Sequence, residues 1–348
     1  MTDDDLGRSK TNGAAAITPA RGGNGVNRRD FAAVTGLAML AGVSSMARAQ
    51  EFPSAPVRII TGFSAGGSTD VVARLLAQRL SVAWSQPVVV ENRVGAAGII
   101  GTDHVAKSKP DGHTLLVGDI STNAIAKSLY PRMPFDPVND LIHVTRLVSF
   151  PLVLLVPPNS SILTLADLLA QARARPGQLR YSSGGAGSSP HVFLEMINQM
   201  AGIKTEAIHY KGGPPAMNAL LAGEVDYSLI SISTGRGLIQ SGKARAIAVT
   251  SAQSTPSLPN VPPVRNVVAG YQALSFHGLH APAGTPAAIV AKIQRDTAAA
   301  MERPEIKDRL AEASSFVSIM TTEEFTAYIK QQTDQWAEVV KVGKIVVE

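Results

Sequence analysis

From residue 57 onward the chain alternates short apolar runs with longer segments that have the spacing of an amphipathic helix. The first run, at 57–61, is rich in β-branched residues and predicts a strand. Valine and leucine then recur along one side of the segment 69–84, which predicts a helix. Repeats of this strand–helix unit are typical of parallel α/β proteins. Further strands are predicted at 88–91, 114–117 and 152–156.

The second half of the chain repeats the alternation, so we predict two lobes. A proline-rich passage at 256–263 leads to a last strand at 275–280, which we expect to cross back to the first lobe. With the apolar strand at 152–156 this makes two crossings, which form a hinge. We assign 50–150 plus 273–348 to lobe one and 151–272 to lobe two. The remaining predicted strands are 179–182, 206–209, 227–230 and 246–250, and the helices are 165–173, 191–200, 216–222, 235–240, 286–301, 304–313 and 322–342.

The first 49 residues have the order of an export signal. The pair Arg28-Arg29 is followed by Phe31, a weakly apolar run and then Ala47-Arg48-Ala49, which together resemble a twin-arginine signal. The run is shorter than the roughly 20 residues that cross a bilayer. We expect cleavage after Ala49 and a periplasmic product. Since the chain has no Cys, we also expect no lipid anchor.

Charge and composition exclude several classes of function. The 348 residues carry a net charge of +5, of which +3 belongs to residues 50–348, and the basic residues are scattered. This is too mild for a nucleic-acid-binding protein. The absence of Cys excludes disulfides and thiolate metal sites. The seven histidines show no H-x-x-x-H spacing, so we predict neither a metal nor a cofactor.

A glycine- and hydroxyl-rich loop at 62–70 joins the first strand to the first helix. Its glycines let backbone N–H groups approach a ligand, and the first N–H groups of a helix are unpaired and attract anions. We expect Ser68 or Thr69 to cap the helix. Asp70 lies in the first turn, where it serves either the helix or the ligand. The sequence therefore predicts an anion site that includes Phe63, Ser64, Ala65, Gly66, Gly67, Ser68 and Asp70.

Other interpretations of this region compete with anion binding. No Lys follows the glycines as a P-loop requires, and Ala97 stands where a dinucleotide fingerprint has its second Gly. The run 62–66 does match G-x-S-x-G, the nucleophile elbow of serine hydrolases. A hydrolase has earlier strands and an oxyanion loop before this elbow, and nothing upstream of residue 57 supplies them. A serine esterase that uses Ser64 remains the alternative.

Lobe two contains a counterpart of the first loop at 181–191. Glycines and serines again precede a helix, and we expect Ser189 as the cap with Pro190 at the first helical position. Two strand ends, at 121–123 and 210–214, should reach the same cleft, because ligands of α/β sheets lie beyond the carboxyl ends of the strands. The candidates from these segments are Ser183, Gly185, Gly187, Ser188, Ser189, His191, Ser121, Thr122, Asn123, Tyr210, Lys211 and Gly212.

From residue 52 to its end the chain resembles the Bug receptors, the periplasmic solute-binding components of tripartite tricarboxylate transporters. The resemblance rests on an ordered series of motifs rather than on one. They are VRII with the loop 62–70, QPVVVENR at 86–93, PDGHTLL at 110–116, the loop 181–191, HYKG at 209–212, GEVD at 223–226, AIAVTS at 246–251 and APAGTP at 281–286.

The resemblance implies a two-lobed periplasmic-binding-protein fold of the Venus-flytrap, type II-like class with two crossing strands. It further implies that the loops at 63–70 and 183–189 hold a ligand carboxylate, partly through water, and that a membrane permease is the partner of a monomeric receptor. Family ligands are di- and tricarboxylates, amino acids and aromatic carboxylates. An orphan receptor that feeds a signalling partner is a further alternative.

The sequence departs from the family pattern at the far end of the cleft. Ile230, which precedes the candidate Ser231, is apolar where relatives often have a polar or acidic residue. His277 and His280 replace the usual aromatic residues near the second crossing. The resemblance therefore implies that the carboxylate is bound, while the remainder of the ligand is left open.

Overall fold

The computed structural model describes residues 52–347, so the predicted export signal and its cleavage site lie outside the described residues. The strands are β1 Val57–Thr61, β2 Val88–Asn92, β3 Thr114–Asp119, β4 Leu141–Phe150, β5 Leu152–Val156, β6 Arg180–Ser183, β7 Glu206–His209, β8 Tyr227–Ser231, β9 Arg245–Val249, β10 Ser275–Pro282 and β11 Phe316–Val317.

Helices surround both sheets. Short 3₁₀ turns occur at Ala96–Gly98 and Val264–Asn266, and one π-helical turn occurs at Ser121–Ile125. None of the helices within 52–347 has the length and apolarity needed to span a membrane. The helices are α1 Ser68–Trp84, α2 Ile99–Ala106, α3 Ala126–Leu129, α4 Leu165–Ala174, α5 Ser189–Ala201, α6 Gly213–Ala222, α7 Ile232–Gln240, α8 Ala287–Met301, α9 Pro304–Ala311 and α10 Thr322–Gly343.

The strands form two mixed sheets. The first has six strands in the order β11-β4-β10-β3-β1-β2, and the second has five in the order β7-β6-β8-β5-β9. In the first sheet β1, β2 and β3 are parallel, while β10 runs antiparallel to both β3 and β4. In the second, β5 is antiparallel to β8 and β9. Each sheet therefore combines parallel strand–helix units with antiparallel strands that arrive from the other sheet.

The two connections between the sheets lie side by side. Only Pro151 separates β4 in the first sheet from β5 in the second. Thr250, on the connection from the second sheet back to the first, is hydrogen-bonded to Leu152 at the start of β5. Its Oγ1 accepts a hydrogen bond from the Leu152 N–H at 2.8 Å, and its N–H donates to the Leu152 carbonyl at 3.0 Å. Ala273, shortly before β10, donates to the Thr250 carbonyl at 3.1 Å. The predicted pair of crossings is confirmed, and this is the geometry of a hinge.

One apolar contact continues across the hinge. Trp336 on α10 stacks on Phe193 of α5 with 4.9 Å between ring centroids, and both side chains are buried. The C-terminal helix, which also packs on β4, thus contacts a helix of the second sheet. Stacked aromatic pairs of this kind contribute about 0.5–1.5 kcal/mol beyond their buried area.

The predicted strands and helices are confirmed to within a few residues at their ends, but four elements were missed, namely β4, α2 and the short β11 and α3. No element is predicted between residues 117 and 152, whereas this stretch contains the ten-residue strand β4. Because β4 is a central strand that is buried on both faces, its sequence does not alternate cleanly between apolar and polar residues. Helix α2 directly follows a glycine-rich loop, and glycine weakens the helical signal of its sequence.

Candidate functional site

A cavity of about 60 Å³ lies between the two sheets, where the carboxyl ends of their parallel strands face each other. Both predicted loops contribute to its wall, the first through Gly67 and Ser68 and the second through Ser188 and Ser189. Phe63, Phe150, Leu152 and Ile230 add apolar surface. The other lining residues are Thr69, Asp119, Ser121, Gly184, Pro190, Gly212, Gly213, Ser231 and Thr234.

Four helices begin at this cavity. Their N-cap residues are Gly67 for α1, Ser188 for α5, Gly212 for α6 and Ser231 for α7, and all four line the wall. Each helix N-terminus carries about half a positive charge from its unpaired N–H groups. Among residues 52–347, no lysine or arginine lines the cavity. A negative group placed here would therefore meet neutral backbone and hydroxyl donors instead of a cationic side chain.

Hydrogen bonds to the Asp70 carboxylate fix the conformation of loop 62–70. The Asp70 carboxylate accepts hydrogen bonds from the Gly66 N–H at 3.0 Å, Arg74 Nε at 2.9 Å and Asn92 Nδ2 at 2.9 Å. Burial acts to raise the pKa of Asp70, but the hydrogen bonds from Arg74, Gly66 and Asn92 and the charge of Arg74 lower it on balance. Asp70 is buried and does not line the cavity, so its contacts serve the loop and the start of α1.

The predicted caps of α1 and α5 are wrong by one or two residues. Gly67, not Ser68 or Thr69, is the N-cap of α1 and makes no side-chain capping bond, so Ser68 is the first helical residue. In α5 the N-cap is Ser188, Ser189 comes first and Pro190 second. Proline is compatible with the first and the second helical position, because the N–H group at neither position has a partner within the helix. Pro190 alone therefore could not determine at which residue α5 begins.

The two lobes touch directly across the cleft. Ser121, at the end of lobe one's third strand, accepts a hydrogen bond from the Ser189 N–H through its Oγ at 2.8 Å. Tyr130 donates its hydroxyl to the Ala186 carbonyl at 2.8 Å. A Cβ on Gly212 would lie 2.5 Å from Ser64 Oγ, so only glycine permits this approach. The structure is that of a closed cleft.

The predicted site residues fall into three groups. Lining the cavity are Phe63, Gly67, Ser68, Ser121, Ser188, Ser189, Gly212 and Ser231. A neighbouring cavity of about 230 Å³, next to Phe63 and the strained loop Ala96–Gly98, is lined by Gly185, Tyr210 and Lys211. Neither cavity is lined by Ser64, Ala65, Gly66, Asp70, Thr122, Asn123, Ser183, Gly187 or His191. Ala65 and Gly66 are exposed, whereas Asp70, Thr122, Asn123, Ser183, Gly187 and His191 are buried behind the wall.

His191, singled out from the sequence, supports the second loop from behind. Its Nδ1 accepts a hydrogen bond from the Gly187 N–H at 3.0 Å, and its ring packs edge-on against His209. Burial, with a smaller effect of His209, lowers the pKa of His191 to about 4. The imidazole is neutral at physiological pH, as an acceptor at Nδ1 must be.

Ser64 does not have the surroundings of a catalytic nucleophile. Its Oγ is buried and has no hydrogen-bond partner among the described residues, so no general base is in place. Ser64 also has an ordinary negative φ, whereas a nucleophile elbow is a sharp, strained turn that leads straight into a helix. Here α1 begins only at Ser68. No observation of the site favours the esterase alternative.

Sequence reasoning missed several residues of the cavity wall, above all Asp119. It is the last residue of β3, two positions before Ser121, and it is 5% exposed. The rule that selected the strand end at 121–123 applied equally to Asp119. The other missed lining residues are Thr69, Phe150, Leu152, Gly184, Pro190, Gly213, Ile230 and Thr234.

Comparison with known proteins assigns the family. A family model described as a tripartite tricarboxylate transporter family receptor matches residues 72–344. The chain belongs to this receptor family. BugT of Bordetella pertussis is 34% identical to the receptor over 305 residues, which covers 86% of this chain and 93% of that protein. A protein from the tcbD-tcbE intergenic region of a Pseudomonas strain is 32% identical and covers 90% of this chain and 94% of its own.

Solved structures agree with the two-lobed fold. An R. palustris protein solved with adipate matches the receptor with a TM-score of 0.83 at 30% identity, covering 85% of this chain and 99% of its own. The periplasmic binding protein BugD gives 0.81 at 31% identity, with 85% and 100% covered. MatC from Rhodopseudomonas palustris, solved with bound malate, gives 0.79 at 28% identity, with 83% and 100% covered. The predicted family and the predicted periplasmic-binding-protein fold are both confirmed.

Proposed function

We propose that this protein is a periplasmic receptor that captures a small carboxylate between its two lobes and delivers it to the membrane permease of a tripartite tricarboxylate transporter. The observation that carries the proposal is the convergence of four helix N-termini, from both lobes, on one cavity without a lysine or arginine. Adipate and malate in two structural neighbours support the same ligand class.

Neutral donors suit a receptor that must release its ligand. A hydrogen bond between a neutral N–H or O–H group and a charged carboxylate is worth about 1.5–3 kcal/mol. Four to six such bonds, less a cost of about 4–15 kcal/mol for association and ordering, give an affinity near micromolar, or about −8 kcal/mol. Such a ligand binds from dilute solution and still dissociates readily.

Closure of the cleft couples binding to recognition by the permease. A ligand that contacts Gly67 in one lobe and Ser188 in the other makes both sets of bonds only when the lobes are closed. Its differential contacts therefore favour the closed state, which the permease can distinguish from the open one. The hinge beside Thr250 allows this motion, with lobe one comprising 50–150 plus 273–348 and lobe two 151–272.

The remaining parts of the proposal concern export and assembly. The twin-arginine segment at 28–49 directs the chain to the periplasm, where cleavage after Ala49 releases it. The released receptor carries no lipid and acts as a monomer. Peptide sequencing of the N-terminus from a periplasmic fraction, together with the mass of the particle in solution, tests these points.

Isothermal titration calorimetry of the purified protein against adipate, L-malate and citrate tests carboxylate binding, with the uncharged adipamide as a ligand control. We expect at least one acid to bind near micromolar and adipamide not to bind. Ser188→Ala should weaken that binding about tenfold, since the Ser188 Oγ lies at the cavity without a partner in the described structure.

The matched control is Ser228→Ala. Ser228 is another buried serine of lobe two whose Oγ has no partner, but it lies on β8 outside the cavity. Binding should remain within about twofold of wild type in this variant. If no carboxylate of the panel or of a wider set binds, or if Ser188→Ala and Ser228→Ala behave alike, the proposed site is wrong.

A further inference from the structure

Within the described part of the chain, Asp119 is the one charged side chain that lines the cavity. Its Oδ1 accepts hydrogen bonds from the Ser121 N–H at 2.7 Å and from the Ser121 hydroxyl, and its Oδ2 accepts from Ser275 Oγ at 3.2 Å. All three partners are donors. These hydrogen bonds favour the ionised form of the carboxylate, which is only 5% exposed.

No cation compensates this charge among the described residues of the cavity. His277 Nδ1 lies 3.7 Å from Asp119 Oδ2 and has no hydrogen-bond partner, although the side chain is 1% exposed. Burial lowers the pKa of His277 to about 3, so its ring is neutral. Burial likewise raises the pKa of Asp119. A buried carboxylate without a positive partner is costly, and a ligand could remove that cost.

The negative and positive parts of the cavity are adjacent. Ser121 Oγ donates to Asp119 and accepts from the Ser189 N–H, so one hydroxyl separates the carboxylate from the N-terminus of α5. Ser188, the N-cap of that helix, lines the same cavity, and its buried Oγ has no partner among the described residues. Within a few bond lengths, a ligand in this space therefore meets a carboxylate that pairs with a positive group and N–H and O–H donors that bind a negative group.

We propose that Asp119 is a specificity-determining residue and that the receptor's ligand is a zwitterion, whose carboxylate faces the helix N-termini and whose protonated nitrogen pairs with Asp119. The inference rests on the proposed function and narrows its ligand class. A plain dicarboxylate fits less well, because its second carboxylate would be repelled wherever it approached Asp119. A protonated nitrogen would instead supply the missing positive partner.

Calorimetry with pairs of ligands that differ only in the ammonium group tests the inference. The probes are L-aspartate with succinate, L-glutamate with glutarate, and L-phenylalanine with 3-phenylpropionate. We expect the wild-type receptor to bind the amino member of at least one pair at least tenfold more tightly than its partner. In Asp119→Asn this preference should fall below about threefold, because the paired charge is gone while the helix N-termini remain.

Asp136→Asn is the matched control. Asp136 accepts a hydrogen bond from the N–H two residues further on, that of Val138 at 2.9 Å, just as Asp119 does from Ser121, but it lies outside the cavity. This variant should keep the wild-type preference. It separates loss of a turn-stabilising carboxylate from loss of the charge in the site.

The outcomes separate the inference from the function it rests on. If every pair that binds favours the member without nitrogen, or if Asp119→Asn keeps the preference, the inference is wrong while carboxylate reception stands. If neither member of any pair binds and adipate, malate and citrate also fail, both are wrong. Should Asp119→Asn fail to fold, the wild-type preference still decides, since its absence overturns the inference.

Discussion

Two histidines buried in lobe one should make the receptor sensitive to mild acid. His143 on β4 and His280 on β10 contact each other through their Nδ1 atoms at 2.9 Å, and they are 1% and 0% exposed. Burial, with a smaller effect of Lys330, lowers the pKa of His143 to about 4, and burial together with His143 lowers that of His280 well below its ordinary value. Phe325 covers the pair, and no carboxylate contacts it in the described structure.

The sign and size of the effect follow from proton linkage. The unfolded chain binds protons at both histidines near pH 6.5, whereas the folded chain protonates His143 only near pH 4 and His280 well below its ordinary range. The stabilisation is therefore fully present above pH 6.5 and is lost as the pH falls toward the folded value of about 4. By pH 5 His143 has lost about 2 kcal/mol of a typical stability of about 5–15 kcal/mol, and the lowered pKa of His280 adds to this loss.

Urea unfolding between pH 7.5 and 5.0 measures this loss, with fluorescence of the buried Trp84 and Trp336 as the signal. The double variant His143→Leu/His280→Leu replaces both partners with apolar groups and should lose at least about 2 kcal/mol less than wild type over this range. Above pH 7.5 the difference between the two proteins should be constant. An equal loss in both proteins would refute the assignment of the acid sensitivity to this pair.

Three further changes probe the cleft and the loop that faces it. Ser121→Ala removes the acceptor of the Ser189 N–H across the lobes, so closure leaves that donor unpaired at a cost of about 1–3 kcal/mol. Calorimetry should show that the ligand affinity falls about 5- to 150-fold. An unchanged affinity would contradict a closed bound state. Gly62→Ala places a Cβ 2.4 Å from Gly98 Cα, so the backbone must move. This change should lower the free energy of unfolding, measured by urea titration, by about 1–3 kcal/mol. An unchanged free energy would mean that the loop shifts freely. Arg236→Ala breaks the 2.7 Å ion pair between Arg236 and Glu312, whose side chains are 37% and 59% exposed, respectively. Calorimetric unfolding should show a change in stability of less than about 1 kcal/mol. A larger loss would indicate that this ion pair holds the two lobes together.

The sequence alone determined the local elements and the kind of chemistry. Alternation of apolar runs with helical spacing located β1, α1 and β5 to within a residue, because these elements bury one face or both in a regular period. Glycine and serine between a strand and a helix indicated an anion-binding turn in each lobe, because glycine and unpaired N–H groups act over only a few residues. The ordered series of motifs was sufficient for the family.

The tertiary structure decided which side chains of those turns face the cavity. Gly67 and Ser188 line it, while Asp70 and His191, equally close in sequence, lie behind the wall and hold the loops. The direction of a side chain in an irregular loop has no period, so it depends on how the two sheets close on each other.

The same reason explains why the sequence did not identify Asp119 as a residue of the site. Its position at the end of β3 is local, but its charge matters only because β10 brings Ser275 and His277 beside it and because lobe two closes the space in front of it. These partners are more than 150 residues away along the chain. Contacts at such separation leave no periodic signal in one sequence. The fold shows directly that Asp119 is buried and that no cation lies beside it among residues 52–347.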